Sequence, residues 1–94
     1  MVLAIAITES NCRYDVRHPD KDTCGIGGIK AKFWQHIEEP NSLLAIESIV
    51  DILRDKYDNN IYAIIKYYKG GNTNLKSTNK CFKLYKDIKE AMSD

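Results

Sequence analysis

The sequence predicts a small, mainly α-helical single domain in which an irregular loop or short hairpin follows the first helix. Apolar residues recur at helical spacing in two stretches: Leu43, Ile46, Val50 and Leu53, then Ile61, Ile64, Ile65 and Tyr68. Turn formers gather instead in "NCRYDVRHPDKDTCGIGG", residues 11–28, which holds Pro19 and three of the five glycines. With 44% hydrophobic and 29% charged residues over 94 positions, the composition is that of a globular chain with one modest core. A domain of this size buries about 60–65% of the surface its unfolded chain exposes.

Each element follows from local signals. Residues 2–10, "VLAIAITES", read as an apolar helix that Asn11 stops. After the polar block, "IKAKFWQHI", about 29–37, is expected to form a short helix ending before Pro40. Asn41 or Ser42 offers an N-cap for a helix running to about residue 57, and Asn59 or Asn60 caps the next. Gly70-Gly71 end that helix. A polar turn, "GGNTNLKSTN", leads to a last helix near 79–91 with Phe82, Tyr85 and Ile88 on its apolar side. The expected total is five or so helices, with no internal repeat or linker, so residues 1–94 read as one unit.

Several function classes are excluded at this level. No run approaches the roughly 18 consecutive apolar residues of a membrane span, and the N-terminus lacks the basic start and cleavage site of a signal peptide. The formal charge of +1 hides an asymmetry: residues 1–60 carry 7 Lys/Arg against 10 Asp/Glu, and residues 61–94 carry 7 Lys against 3 Asp/Glu. The basic third does not argue for nucleic acid, because Lys76, Lys80, Lys83, Lys86 and Lys89 lie three or four apart, as on a solvated helix face. Cys12, Cys24 and Cys81 show no zinc-type spacing, so no metal and no cofactor are expected. In an oxidising compartment Cys12 and Cys24 could staple the polar loop; otherwise they are free thiols. His18 and His36 show no partner spacing for a metal or nucleophilic site.

Three short motifs stand in order. Glu9-Ser10 closes the first helix, Gly25-Ile26-Gly27-Gly28-Ile29 follows sixteen residues after the acid, and "AIIKYYKGG", residues 63–71, closes the penultimate helix. This order and spacing resemble the lysozyme-like lytic transglycosylases of the goose-type lysozyme superfamily. In that family an E-S pair ends a helix, a G-L-M-Q-like stretch follows, and an A-x-x-A-Y-N-x-G segment comes later. The resemblance covers roughly residues 3–72. It implies that Glu9 is the catalytic acid and Ser10 its support. Gly25 and Ile26 take the first two positions of the second motif, Ile29 the apolar residue after it, and Ala63, Tyr67 and Gly70 the matching positions of the third. Gly27 and Gly28 replace the usual Met and Gln, and Tyr68 the usual Asn, which removes amides that would contact sugar.

The chemistry fits these residue types. A carboxylic acid at the end of an apolar helix and facing a cleft pays a desolvation cost on ionising, so it can hold a proton to donate. In glycosidic cleavage such an acid protonates the leaving oxygen as positive charge builds on the anomeric carbon. The resemblance implies that the same residue then takes a proton from the C6 hydroxyl of N-acetylmuramic acid, giving a 1,6-anhydro product. A hydroxyl from Ser10 or Tyr67 could hold the acid in place. Glycines at 25, 27 and 28 would let a glycan approach the backbone, although "GIGG" also reads simply as a tight turn. Phe33 and Trp34 could stack on a sugar, with core packing the plainer reading. For Glu9 the plainer reading is a surface acid paired with Arg13.

The expected function is therefore a peptidoglycan lytic transglycosylase cleaving the β-1,4 bond between N-acetylmuramic acid and N-acetylglucosamine. One alternative is a hydrolytic muramidase using Asp15, Asp20 or Asp22 as base; another is a non-catalytic glycan-binding module. The partner is the glycan strand of peptidoglycan, and no nucleic acid is implied. The first eight residues make a short helix for the acid, which also suits an excerpt of a larger chain. Such a chain would belong to a phage virion, a secretion assembly or an exported enzyme acting on the cell wall.

Overall fold

A computed structural model describes residues 1–19, 22–30 and 32–92. Four α-helices carry the architecture: α1 (Val2–Ser10), α2 (Leu43–Lys56), α3 (Ile61–Tyr68) and α4 (Leu75–Ala91). A two-stranded hairpin, β1 (Thr23–Cys24) and β2 (Ile29–Lys30), follows α1, and a single 3-10 turn (Gly71–Asn74) joins α3 to α4. The mainly helical class with a small hairpin after the first helix is as the sequence predicts.

Helix α1 is apolar on all sides through Ile7, and it packs against both α2 and α4. An all-apolar helix has to lie in the core. Ala4, Ile5 and Ala6 are accordingly buried, together with Ile46, Ile49 and Val50 of α2, Ile64 and Ile65 of α3 and Cys81 of α4. At its C-terminus Asn11 adopts the left-handed conformation, and the amides of Asn11 and Cys12 return to Ile7 O and Ala6 O. That closes α1 where the asparagine predicts it.

The caps of the next two helices resolve as side-chain bonds. Ser42 Oγ accepts from the Ala45 amide at the start of α2, and Asn60 Oδ1 accepts from the Ala63 amide at the start of α3. Between them Asp58 and Asn59 both take positive φ. Gly70 and Gly71 do the same after α3 and turn the chain into α4.

Two predicted elements differ. The short helix expected over 29–37 does not form. Ile29 and Lys30 pair antiparallel with Cys24 and Thr23, and turns closed by the Phe33 and Ile37 amides follow. The reason is the glycine turn: residues 25–28 reverse the chain and deliver Ile29 to a strand partner before a helix can start. The last helix begins at Leu75 rather than near residue 79, because the 3-10 turn feeds it directly and Thr78 satisfies its hydroxyl on Asn74 O, 3.0 Å away. The described residues thus hold four α-helices rather than five. Among them no helix is long and apolar enough to cross a membrane.

Candidate active site

Glu9 occupies the last turn of α1, where the apolar helix leaves the core and reaches a cavity. Its Oε1 accepts from Lys69 Nζ at 2.6 Å; the lysine side chain is 0% exposed and that of Glu9 18%. Lys69 caps the C-terminus of α3, and its ammonium also donates to Thr8 Oγ1 at 2.6 Å. The Thr8 hydroxyl spends its own proton on Ala4 O at 2.9 Å, which leaves its lone pairs facing the lysine. A buried ion keeps its charge only with such partners, because losing hydration costs several kcal/mol per ion, on the order of the attraction itself.

The other side of the carboxylate meets the glycine turn. A Cβ on Gly28 would collide with Glu9 Oε2, and Gly28 holds φ +59°, which L side chains rarely adopt. Glycine is required there twice over. Gly27 lies equally close to Ile46 and the Tyr68 hydroxyl, and Gly25 to the Asn41 side chain. The approach these glycines permit is thus made by the protein's own side chains.

Nearly every peptide of the turn is tied down. Tyr68 OH donates to Gly27 O at 2.7 Å, Ser10 Oγ to Ile26 O at 2.7 Å, and His18 Nε2 to Gly25 O at 2.7 Å. The Ile26 amide donates to Asn41 Oδ1 at 2.8 Å, and Asn41 Nδ2 donates to Tyr14 O. Burial, reinforced by the Glu9 charge, pushes the Tyr68 phenol well up, so it remains a hydrogen-bond donor. Burial likewise raises the Cys81 thiol, which faces Thr8 beneath the pair.

The cavity measures about 680 Å³. This falls in the range of ligand sites, roughly 300–1,000 Å³. Glu9, Gly28, Tyr68 and Lys69 form its floor, while Phe33, Trp34 and Tyr67 stand in its walls. Phe33 is 67% exposed, so it is no core residue, whereas Trp34 packs partly against the core. Tyr67, 45% exposed, is stacked on Tyr57 with ring centroids 4.4 Å apart. Among the described lining residues Glu9 is the sole carboxylate. Asp15 pairs with Arg13 in solvent, and the Arg13 guanidinium holds its carboxyl below the usual range. Asp22 lies 3.6 Å from Lys32. Asp20 falls outside the described residues.

Several predicted residues therefore converge, in altered roles. Glu9, Gly28 and Tyr67 line the cavity. Ile26 is buried, and Gly25 and Gly27 build the turn that supports the floor. Ser10 does not hold the acid: it pins the end of α1 to the turn through Ile26 O. Nor does Arg13 pair with Glu9. Cys12, Cys24 and Cys81 are all free thiols, so the Cys12–Cys24 staple is not formed. The functional residues missed in sequence are Lys69, Thr8 and Tyr68. Lys69 left one signal, a lysine at the end of an apolar helix, which reads equally well as a cation on the helix dipole.

No family model, characterised protein or solved structure matches the chain.

Proposed function

We propose that the protein is a lysozyme-like lytic transglycosylase that cleaves the β-1,4 bond between N-acetylmuramic acid and N-acetylglucosamine in peptidoglycan, with Glu9 as its only acid/base. The observation that carries this reading is that Glu9, mostly buried and paired through Oε1 with Lys69 rather than unpaired, opens on a cavity with no second carboxylate among its described walls. The ordered motifs, Glu9-Ser10, the glycine turn and the segment ending at Gly70, meet around that cavity and support the same reading.

The reacting form is the one in which Glu9 Oε2, the oxygen that Lys69 does not hold, carries a proton, and in the first step that proton passes to the glycosidic oxygen. The bond from C1 of the muramic acid to that oxygen breaks, and its electron pair leaves with the departing sugar. Positive charge on C1 is then trapped by the muramic acid's own C6 oxygen, whose proton passes to Glu9. The acid is regenerated, no water is consumed, and the product is a 1,6-anhydro sugar. A hydrolase of the two-carboxylate type would need a base about 6.5–9.5 Å from the acid with water between them. Asp15, exposed and paired with Arg13, is a poor candidate for that role.

Digestion of purified peptidoglycan, with soluble products read by mass spectrometry, tests the proposal. Anhydro-muropeptides from the wild type that disappear with Glu9→Gln are the expected result. Reducing-end products would overturn it in favour of hydrolysis, and no product from folded wild-type protein would overturn the catalytic reading, leaving a binding module or an incomplete fragment. Glu9→Gln strands the Lys69 ammonium and is expected to cost about 3–5 kcal/mol, so its folding is checked by thermal melting, and Glu9→Gln/Lys69→Met, which removes the stranded charge, is read against Lys69→Met alone.

A further inference from the structure

We infer that Lys69 is a positioning residue of the proposed reaction: it fixes Glu9 Oε1, leaves Oε2 as the atom that exchanges protons, and compensates the carboxylate formed once Glu9 has given its proton away. The inference rests on the reading of Glu9 as acid/base and assigns a role to a residue that the motifs do not include.

The geometry is specific in three ways. Lys69 Nζ is held at 2.6 Å from both Glu9 Oε1 and Thr8 Oγ1, so two partners on α1 set where the ammonium points. Oε2 is confined on the opposite side by the bare Cα of Gly28. The carboxylate plane is therefore clamped between a cation from α3 and a glycine from the hairpin turn. Tyr68 and Cys81, which press on this floor from α3 and α4, are both kept neutral by burial, and His18 and Lys30 line the same cavity from the loop and β2. Lys69 is accordingly the cation in direct contact with the acid.

A purely structural role explains this arrangement poorly. Replacing a buried ion pair with apolar side chains of similar size is often neutral or stabilising, so a pair at the edge of an isoleucine-rich core gives little by way of stability. In the reaction its effect is different. As the C1–oxygen bond breaks, negative charge grows on Glu9 while positive charge grows on the sugar. A fixed cation on Oε1 stabilises the first from the side of the carboxylate away from Oε2. Lys69 keeps its proton throughout, and the proton from the C6 hydroxyl returns to Oε2, so charge and atoms balance over the cycle.

The test compares Lys69→Met, Lys69→Ala and Thr8→Val with the wild type on peptidoglycan, after thermal melting has shown which variants fold. Lys69→Met is expected to lower kcat about 10²-fold, the scale of a misplaced catalytic group, with KM nearly unchanged. Ethylammonium added to Lys69→Ala is expected to restore part of that loss, and propanol none, since the charge rather than the volume is missing. If the lysine variants do not fold, Thr8→Val, which removes one anchor and keeps the charge, carries the test through a several-fold fall in kcat at constant KM. Wild-type kcat in any folded variant, or equal rescue by propanol, overturns the inference. Failure of the underlying reading looks different: the wild type itself would then yield no Glu9-dependent anhydro product.

Discussion

The floor and the rim of the cavity are built on opposite principles. On the floor, Glu9 and Tyr68 lie on helices, Lys69 caps α3 and Gly28 belongs to the hairpin turn, and the side chains of Glu9, Lys69 and Tyr68 lie mostly out of solvent with fixed partners at 2.6–2.7 Å. On the rim, Phe33 stands in solvent beside Lys32, which pairs with Asp22, and elsewhere in the loop Arg13 pairs with Asp15, all through exposed side chains. A group that must pass a proton needs a set position, whereas a group that grips a flexible polymer gains from freedom. On the proposed reading, chemistry is assigned to the buried floor and binding to the exposed rim, and substitutions should divide the same way.

Gly28→Ala should break the floor most severely. The new Cβ meets Glu9 Oε2, and φ +59° adds a backbone penalty of about 1–2 kcal/mol for any L residue. Glu9 has no retreat, since Lys69 holds its other oxygen. The expected outcome is a loss of a few kcal/mol in chemical denaturation, together with loss of activity even under conditions where the variant remains folded. A stable variant of wild-type activity would show that the carboxylate is free to move and that the floor is not clamped.

The same division explains what the sequence disclosed. Asn11, Ser42 and Asn60 act through bonds to their own helices, within four residues, and local signals of that kind are legible in a single chain. The hairpin was only half legible, because Ile29, Phe33, Trp34 and Ile37 also sit at helical spacing and the deciding partner, Cys24, lies across the turn. Glu9 could be picked out by its contrast with "VLAIAI" and by the ordered motifs. Lys69 could not, since its partners on α1 are 60 and 61 residues away and nothing at position 69 encodes them. The motif spacing points to Tyr67 as the cleft residue, yet the hydroxyl that reaches the glycine turn belongs to Tyr68, on the apolar face of the helix.

Phe33→Ala sharpens the comparison from the other side. A side chain 67% exposed contributes little to folding, so stability should stay within about 0.5 kcal/mol of wild type. If the ring stacks on a sugar, it contributes about 0.5–1.5 kcal/mol, as aromatic contacts do. KM for glycan strands should then rise roughly 2–10-fold with kcat nearly constant. A fall in kcat at constant KM would instead place Phe33 with the floor, and the proposed split between binding and chemistry would have to be redrawn.

Asp15→Asn carries the smallest expected effect and bears directly on the choice between one carboxylate and two. The Arg13–Asp15 pair is fully in solvent, where such pairs add little because water and salt screen them. Asparagine keeps the size of the side chain and removes only its charge and its capacity as a base. Activity and the share of anhydro product should therefore both match wild type within about twofold, a range too small for loss of a general base, which contributes about 10²–10⁴-fold. A loss on that larger scale, accompanied in the wild type by reducing-end products, would make the rim part of the chemistry: Asp15 would be the base, and water, rather than the C6 hydroxyl, the group that traps the sugar.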